Sequence, residues 1–334
     1  RIRLARNLAG IPFPTKANTR HRQAVLQMVR EAVAGVPLMD GCIDVKMSSL
    51  AELDRVFLLE RHLISREHCS TRKTGNSVFV ARGENCSIMV NEEDHLRLQV
   101  MTAGMQLEQL WQLVDHVDSL LTERLQYAYS EDLGFLTACP TNVGTGIRAS
   151  VMLHLPGLVF ANQIEAITQA VHTIGFAVRG LYGEGSDTDG NLFQISNQST
   201  LGESEIYIIE KLEKIIRQIV EHERNARQVL LERKPKYLYD HIGRAYGILR
   251  HAYILESSEA LRQLSALRLG IDLRMFSSVD AHTINELLVM IQPGHLQKIH
   301  NRTLDENERD IARADIVRGR LSGSKRETTD EQSH

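Results

Sequence analysis

Four short segments carry residue types whose spacing suits chemistry on charged groups. Arg1-Ile2-Arg3, with Arg6 behind it, sets alternate arginines on one face of a strand. Val90-Asn91-Glu92-Glu93-Asp94-His95-Leu96-Arg97 places three consecutive acids at the end of an apolar strand and closes on an arginine. Cys139-Pro140-Thr141-Asn142-Val143-Gly144-Thr145-Gly146-Ile147-Arg148 is a glycine-bearing turn with a cysteine before it and an arginine after it. Arg179-Gly180-Leu181-Tyr182-Gly183-Glu184-Gly185-Ser186-Asp187 begins a long acidic, glycine-rich loop behind a strand. Taken singly, each has a plainer reading: a solvated turn, an ordinary loop, a small buried thiol, or surface ion pairs of little consequence. Together they suit one task. Guanidinium forks match phosphate oxygens and keep their charge, so arginines from separate strands can surround a triphosphate. Carboxylates from two other loops can face a cationic acceptor. Phosphoryl transfer asks for positioning and charge neutralisation, with Mg2+, and little more. The phosphate-loop, HExxH and GxSxG motifs are absent.

The elements that must position these segments follow from periodicity. Residues 18–35 read as an amphipathic helix, and Ser49-Leu50-Ala51-Glu52 matches a capping box that opens a second helix to about Leu63. From Ser77 the runs SVFVAR, CSIMVN and HLRLQV read as strands. Residues 107–129 return to helical spacing, and 149–155 are apolar enough for a buried strand or helix. A helix across 158–173, a strand at 176–180 and another at 192–196 follow. Strands and helices do not alternate regularly, so the fold class is α+β, a mainly antiparallel sheet flanked by helices. Beyond Glu203 everything reads as helix, with breaks expected at Lys234-Pro235, Gly270 and Pro293-Gly294. The division is therefore a body over 1–226, an all-helical domain over 227–318, and a polar disordered tail over 319–334.

Composition bounds this reading. A chain of 334 residues with 43% hydrophobic side chains suggests two domains with sizeable cores. With 39 basic and 42 acidic residues, nucleic-acid binding through bulk positive charge is not expected. No apolar run of about 18 residues is present, so no membrane span is expected. The four cysteines are scattered without metal spacing, which favours a reduced, cytoplasmic setting and no protein-held metal. The chain opens on Arg1, not Met, with charges where a signal peptide is apolar; a short preceding piece and no leader are expected.

The four segments, in this order, resemble the ATP:guanidino phosphotransferase family of creatine and arginine kinases, over roughly residues 1–226. VNEEDHLR and CPTNVGTGIR carry most of that resemblance. Within the family the chain is similar to the bacterial branch that phosphorylates arginine side chains in proteins. The RGLYGEGSD…GNLFQISNQ loop, the helical C-terminal region, and Arg309-Asp310-Ile311-Ala312-Arg313-Ala314 point that way. The last run matches the RDxxRA phosphoarginine-binding motif of that branch, through Arg309, Asp310, Arg313 and Ala314.

The resemblance implies roles. Arg1, Arg3, Arg97 and Arg148 match phosphate-binding arginines. Arg179, Gly180, Leu181, Tyr182, Gly183 and Glu184 match the loop folding over the nucleotide, and His62 a histidine near the adenosine. Glu93 matches the carboxylate that orients the target guanidinium and acts as base, and Cys139 the cysteine beside that guanidinium. ATP with Mg2+ is the implied cofactor. Implied partners are proteins presenting arginine, among them a heat-shock repressor, with a zinc-finger activator, a Clp chaperone-protease that degrades the marked proteins in stress, and a second copy as homodimer. Two departures stand out. Tyr182 replaces an arginine of the small-molecule members' loop, and Asp187 replaces its terminal Glu, which leaves Glu184 or Asp187 as the second catalytic carboxylate. By length, no room is expected for the helical N-terminal domain that encloses small guanidino substrates in the family, and an open site suited to an arginine on a protein surface is expected. A phosphagen-type kinase of a free guanidino compound and a non-catalytic phosphoarginine reader are the alternatives.

Overall fold

The computed structural model describes residues 1–180, 189–277 and 279–322. Leu181, Tyr182, Gly183, Glu184 and Asp187, and the expected tail beyond residue 322, lie outside the described residues.

The strands are β1 (Ile2–Arg6), β2 (Ile43–Lys46), β3 (Ser77–Val80), β4 (Cys86–Val90), β5 (Leu96–Val100), β6 (Tyr129–Ser130), β7 (Gly134–Phe135), β8 (Ile147–His154), β9 (Phe176–Gly180) and β10 (Leu192–Asn197). Eight form one sheet in the order β2-β3-β4-β5-β1-β8-β10-β9, and β6-β7 form a small hairpin. From β2 through β8 each neighbouring pair is antiparallel. The helices are α1 (Thr19–Val33), α2 (Glu52–Glu60), α3 (Arg66–Ser70), α4 (Leu107–Thr122), α5 (Pro156–Phe160), α6 (Ile164–Thr173), α7 (Glu205–Arg233), α8 (Pro235–His251), α9 (Ser257–Asp272), α10 (Ala281–Met290), α11 (Pro293–Ile299) and α12 (Glu306–Ser322). Among the described residues, no helix is long and apolar enough to cross a membrane.

The sheet's two faces differ because side chains alternate along each strand. Ile2, Leu4, Ile88, Leu98, Val100 and Ala149 are fully buried or nearly so. On the helical side, α1 offers Val25 and Val29, and α4 offers Val114, Val117 and Leu121, all buried. Helix α4 packs on β1 and β5, and α1 on β4. Each such side chain contributes about 1.5–3 kcal/mol through burial. The opposite face packs Val78, Val80 and Met89 of β3 and β4 against Leu63 and Ile64, turns polar along β5, β1 and β8, and holds the chemistry there.

Several expectations need correction. Ser49 does not cap α2: it sits in a short 3-10 turn, its hydroxyl donates to the Lys46 carbonyl, and the helix starts at Glu52 without a side-chain cap. The helix from Leu107 ends at Thr122, and the chain after it turns into β6. The expected 158–173 helix is two, interrupted where Asn162 takes φ 55°. Gly270 lies inside α9, where a Cβ would come within 2.5 Å of Ile242 and 2.7 Å of the Phe276 ring; it permits close packing and breaks nothing. The last helix runs to Ser322, four residues past the expected boundary at 318.

By compactness the chain forms two units. The first comprises Arg1–Val151, Gln169–Val178 and Gln194–Gln218; the second comprises Met152–Thr168, Arg179–Phe193 and Ile219 onward. The segment carrying the glycine-rich loop thus belongs to the unit built around the C-terminal helices. That unit's core joins Leu255, Leu261, Leu264 and Leu267 of the α9 region to Ile284, Leu287, Ala314 and Val317.

Candidate active site

Register alone gathers the arginines. Arg3 lies opposite Gln99 on β5 and opposite Arg148 on β8, while Ala5 lies opposite Arg97. Directly opposed residues share a face, so Arg3, Arg97 and Arg148 crowd together on the face away from α4, with Arg1 two residues before Arg3. Arg1 Nη2 donates to Gln194 Oε1 at 2.6 Å, and Arg148 Nη2 to Ser196 Oγ at 3.2 Å, both acceptors on β10. Burial, and then Arg148 and Arg97, push the Arg1 guanidinium down to about 10. Arg3 falls well below its ordinary value through burial first and then Arg1, Arg97 and Arg148, with Glu92 partly offsetting them. Its Nε is buried without a protein partner. Cations forced together away from water are costly unless an anion joins them. The donor set of a triphosphate site is present, with Arg97 paired to Glu92 and Glu93.

Arg6 breaks the alternation and serves the other face. Its Nε and Nη2 donate to Asp118 Oδ2 at 3.0 and 2.7 Å, its Nη1 to the carbonyls of Ala5 and Thr145, and it lies 3.6 Å from the Phe135 ring centroid. Tyr127 donates to the second Asp118 oxygen. This arginine is a buried brace tying β1 and α4 to the Gly144–Gly146 turn.

The acidic run divides its labour. Asn91 takes φ 59° and its amide donates to the carbonyls of Arg22 and Gly75, which turns the chain out of β4. The Glu92 carboxylate, 1% exposed, accepts from Arg97 at 2.8 Å, from the Ser65 hydroxyl at 2.6 Å and from the Glu93 amide at 3.0 Å. Asp94 accepts from Asn7 at 2.6 Å and from the Ala138 amide at 2.7 Å, so it anchors the residue before Cys139. His95 accepts the Leu8 amide at Nδ1 and meets the Pro12 carbonyl through Nε2. Glu93 alone of the three acids reaches solvent, 39% exposed, with Arg97 Nη2 3.0 Å away. Burial raises its carboxyl above the ordinary value; Arg97 pulls it back, while Asp94, Glu92 and Glu67 push it up.

Cys139 enters a 3-10 turn over Pro140–Asn142, its Sγ 3.0 Å from Thr141 Oγ1. The glycines behind it are packing requirements. Gly146, at φ 67°, would set a Cβ 2.6 Å from the Ala5 carbonyl, and Gly144 one 2.7 Å from that of Thr200. Thr200 in turn donates to the carbonyls of Thr141 and Val143. The turn is therefore held to β1 on one side and to Thr200 on the other. His62 takes φ 58° after α2, and its carbonyl accepts from Gln99; partial desolvation, then Arg1, lower its imidazole. Arg179 and Gly180 end β9. Among the described residues no group of three His, Cys, Asp or Glu side chains is arranged to hold a metal ion.

The motif in α12 is built differently. Arg313, 1% exposed, donates to the carbonyls of Leu255 at 2.6 Å and Ile291 at 3.1 Å and pairs with Asp310. Arg309 donates to the Leu304 carbonyl at 2.8 Å, the Asp310 carbonyl accepts from the Leu255 amide, and Ala314 is wholly buried in the core. Asp310 does hold a guanidinium, but it is the chain's own.

Sequence reading passed over Glu92, Ser65, Asp94, Gln99, Gln194 and Ser196. The signal for Gln99, Gln194 and Ser196 was their period-two alternation with apolar neighbours on one strand face. Glu92 and Asp94 look identical to Glu93 in sequence, and only burial separates them.

Solved structures define the class. A duplicated taurocyamine kinase from Schistosoma mansoni with bound transition-state analogue components aligns with TM-score 0.60 at 24% identity, over 72% of this chain and 36% of that chain. A lombricine kinase aligns with TM-score 0.58 at 23% identity, over 67% of this chain and 65% of that one. The shared fold is that of the guanidino kinases. The family model of the ATP:guanido phosphotransferase C-terminal catalytic domain matches residues 25–226, and that of the protein-arginine kinase McsB C-terminal domain matches 235–332. A protein-arginine kinase from Halothermothrix orenii is 47% identical over 325 residues, 96% of this chain and 92% of that protein. One from Caldanaerobacter subterraneus subsp. tengcongensis is 45% identical over 324 residues, 96% of each. The chain belongs to the ATP:guanido phosphotransferase family, among the protein-arginine kinases. Arg1 and Arg3 precede the matched range, so their assignment rests on strand register.

Proposed function

We propose that the chain phosphorylates arginine side chains of proteins with ATP, forming a phosphoramidate. The observation that carries this reading is one sheet face on which Arg1, Arg3, Arg97 and Arg148 repel one another beside a single solvent-reaching carboxylate, Glu93. The four guanidinium groups hold the triphosphate, which supplies the transferred phosphoryl group and carries the Mg2+. Arg97 spans both substrates, since it donates to Glu92 and Glu93 while lining the arginine face. Glu92 fixes both neighbours, so Glu93 meets the incoming guanidinium in one orientation. A guanidinium has a pKa above about 12 and a delocalised lone pair. Glu93 aligns one nitrogen and takes its proton as the N–P bond forms and the bond to the leaving ADP oxygen breaks. A carboxyl held above its ordinary range is the better proton acceptor. Cys139, in the turn that Asp94 anchors, is assigned to the guanidinium by resemblance, and Glu184 or Asp187 supplies the second carboxylate.

The wider role extends the same reading. The protein works in the cytoplasm as a homodimer, with a zinc-finger activator, and marks proteins, including a heat-shock repressor, for a Clp chaperone-protease under stress. Arg309 and Asp310 present the allosteric phosphoarginine site, with Arg313 and Ala314 bracing it from the core. Resemblance supports these assignments.

Incubation with Mg-ATP, a protein substrate and free arginine tests the activity. Acid-labile phosphate on protein arginines is expected by mass spectrometry. Phosphate on free arginine alone points to a phosphagen-type kinase, and none on either to a phosphoarginine reader.

A further inference from the structure

Glu92 is held from outside the acidic run by one hydroxyl. Ser65 donates through Oγ to Glu92 Oε1 at 2.6 Å, and the same Oγ accepts from the His68 amide at 3.0 Å as the N-cap of α3. An amide can only donate, so the hydroxyl proton is left to point toward Glu92. The Ser65 backbone is fixed in turn. Leu63 and Ile64 before it are buried with Val78, Val80 and Met89, the Leu63 carbonyl accepts from the Ser87 hydroxyl, and the Ser65 amide meets Met89 Sδ at 3.3 Å. Behind it the His68 ring is wholly buried, its Nε2 3.0 Å from the Ser77 carbonyl. Burial, partly offset by Glu92, lowers that imidazole to about 4, so it brings no competing cation to Glu92 at neutral pH. The two oxygens of Glu92 are thereby divided. Oε1 takes Ser65 and Arg97 Nη1, the latter at 2.8 Å, and Oε2 takes the Glu93 amide at 3.0 Å. All of these residues lie in the first compact unit.

We propose that Ser65 is a positioning residue for phosphoryl transfer, its hydroxyl fixing the plane of the Glu92 carboxylate and, through it, the aim of Glu93 and Arg97. The inference deepens the reading of Glu93 as the carboxylate that meets the acceptor guanidinium, and rests on it. Of the three contacts to Glu92, two come from the groups that must themselves be aimed: the long Arg97 side chain and the Glu93 amide. Ser65 is the third, and it comes from a helix start seated in the core. With it, Glu92 gives the loop a fixed reference. Without it, Glu92, Arg97 and Glu93 can shift together. In-line transfer is sensitive to such a shift, since a misplacement of about 1 Å costs on the order of 10² in rate. Nucleotide binding depends on Ser65 far less, because Arg1 and Arg148 are aimed by Gln194 and Ser196 instead.

Ser65→Gly and Ser65→Thr separate this role from capping. Glycine is tolerated at an N-cap but has no hydroxyl, and threonine keeps both the cap and the donor. With a protein substrate and Mg-ATP, full-length Ser65→Gly should lose about 10–100-fold in kcat, the worth of a hydrogen bond to a charged group. Its KM for ATP and calorimetric Kd for Mg-ATP should stay within about twofold, and its melting temperature should change little. Ser65→Thr should keep kcat within about threefold of the parent. In Glu92→Ala, which removes the acceptor, adding Ser65→Gly should cost nothing more. A glycine variant with parental kcat, a threonine variant as slow as the glycine one, a loss of ATP affinity in step with rate, or a further loss on top of Glu92→Ala overturns the proposal. Where Glu92→Ala fails to fold, the contrast between glycine and threonine decides alone. A wild-type protein that phosphorylates no arginine sinks the kinase reading and this inference with it. An active wild type beside an unimpaired glycine variant sinks this inference only.

Discussion

Two arginines, Arg3, partly buried, and Arg313, fully enclosed, meet opposite surroundings. Arg313 spends its donors on the carbonyls of Leu255 and Ile291 and on Asp310, drawing the start of α9, the end of α10 and α12 together. Arg3 faces Arg1, Arg97 and Arg148, and its Nε has no protein partner. A buried cation costs several kcal/mol unless it is paired. Where the chain supplies the partners, the arginine is structural. Where it supplies more arginines, the proposed triphosphate would supply the anion. The carboxylates divide in the same way: Asp310 is held by Arg313, while Glu93 reaches solvent with one face open.

The largest expected effect breaks or sharpens that division on the acidic side. Glu93→Gln should lower kcat by about 10²–10⁴, the range for a lost proton acceptor, with calorimetric ATP affinity within about twofold. Loss of ATP binding in step with activity would make Glu93 part of the nucleotide site. Arg3→Ala comes next: ATP affinity should fall about 10–100-fold, the worth of a charge-assisted contact. Its melting temperature should hold or rise, since a repulsive neighbour has gone. A clear fall in stability would place Arg3 with Arg313.

Arg313→Ala is the mirror experiment. It strands two carbonyls and the Asp310 carboxylate, so stability should drop by about 3 kcal/mol in denaturant unfolding while ATP affinity stays. Equal stability with altered ATP affinity would reverse the comparison.

What the sequence could disclose followed this same line. Period-two strands such as Ser-Ile-Met-Val and Leu-Arg-Leu-Gln-Val are visible because one face is apolar throughout, and long stretches such as α7 show their 3.6-residue spacing. Local signals failed where tertiary packing outvoted them. Gly270 reads as a breaker, yet α8 and Phe276 press against it and need the missing Cβ. Ser49 has capping-box spacing, but its hydroxyl is spent on Lys46. The arginines of the proposed site stand out by type and by resemblance. That Arg6 serves the core, that Arg313 is wholly enclosed and that Glu92 organises Glu93 depend on partners 22 to 112 residues away or on burial, which spacing does not encode.

The smallest expected effect concerns pH and carries a sign for each neighbour. Glu93 has its carboxyl raised, chiefly by burial, so only the ionised form above that value can accept a proton. The acid limb of kcat/KM should therefore lie above the ordinary carboxylate value of 4.5. Arg97 is the influence that lowers it, and Arg97→Gln should move the limb to higher pH; Glu92 raises it, and Glu92→Gln should move the limb lower. The stability linkage has a matching sign. With its folded pKa raised, Glu93 favours the folded state below the unfolded pKa, and that contribution is lost as pH rises through the folded value. Glu93→Gln should then unfold no more easily than the parent at pH 7, whereas Asp310→Asn, which unpairs Arg313, should unfold more easily. If the two limb shifts had the same sign, burial of the loop and not charge would govern Glu93, and the open carboxylate would be a consequence of fold alone.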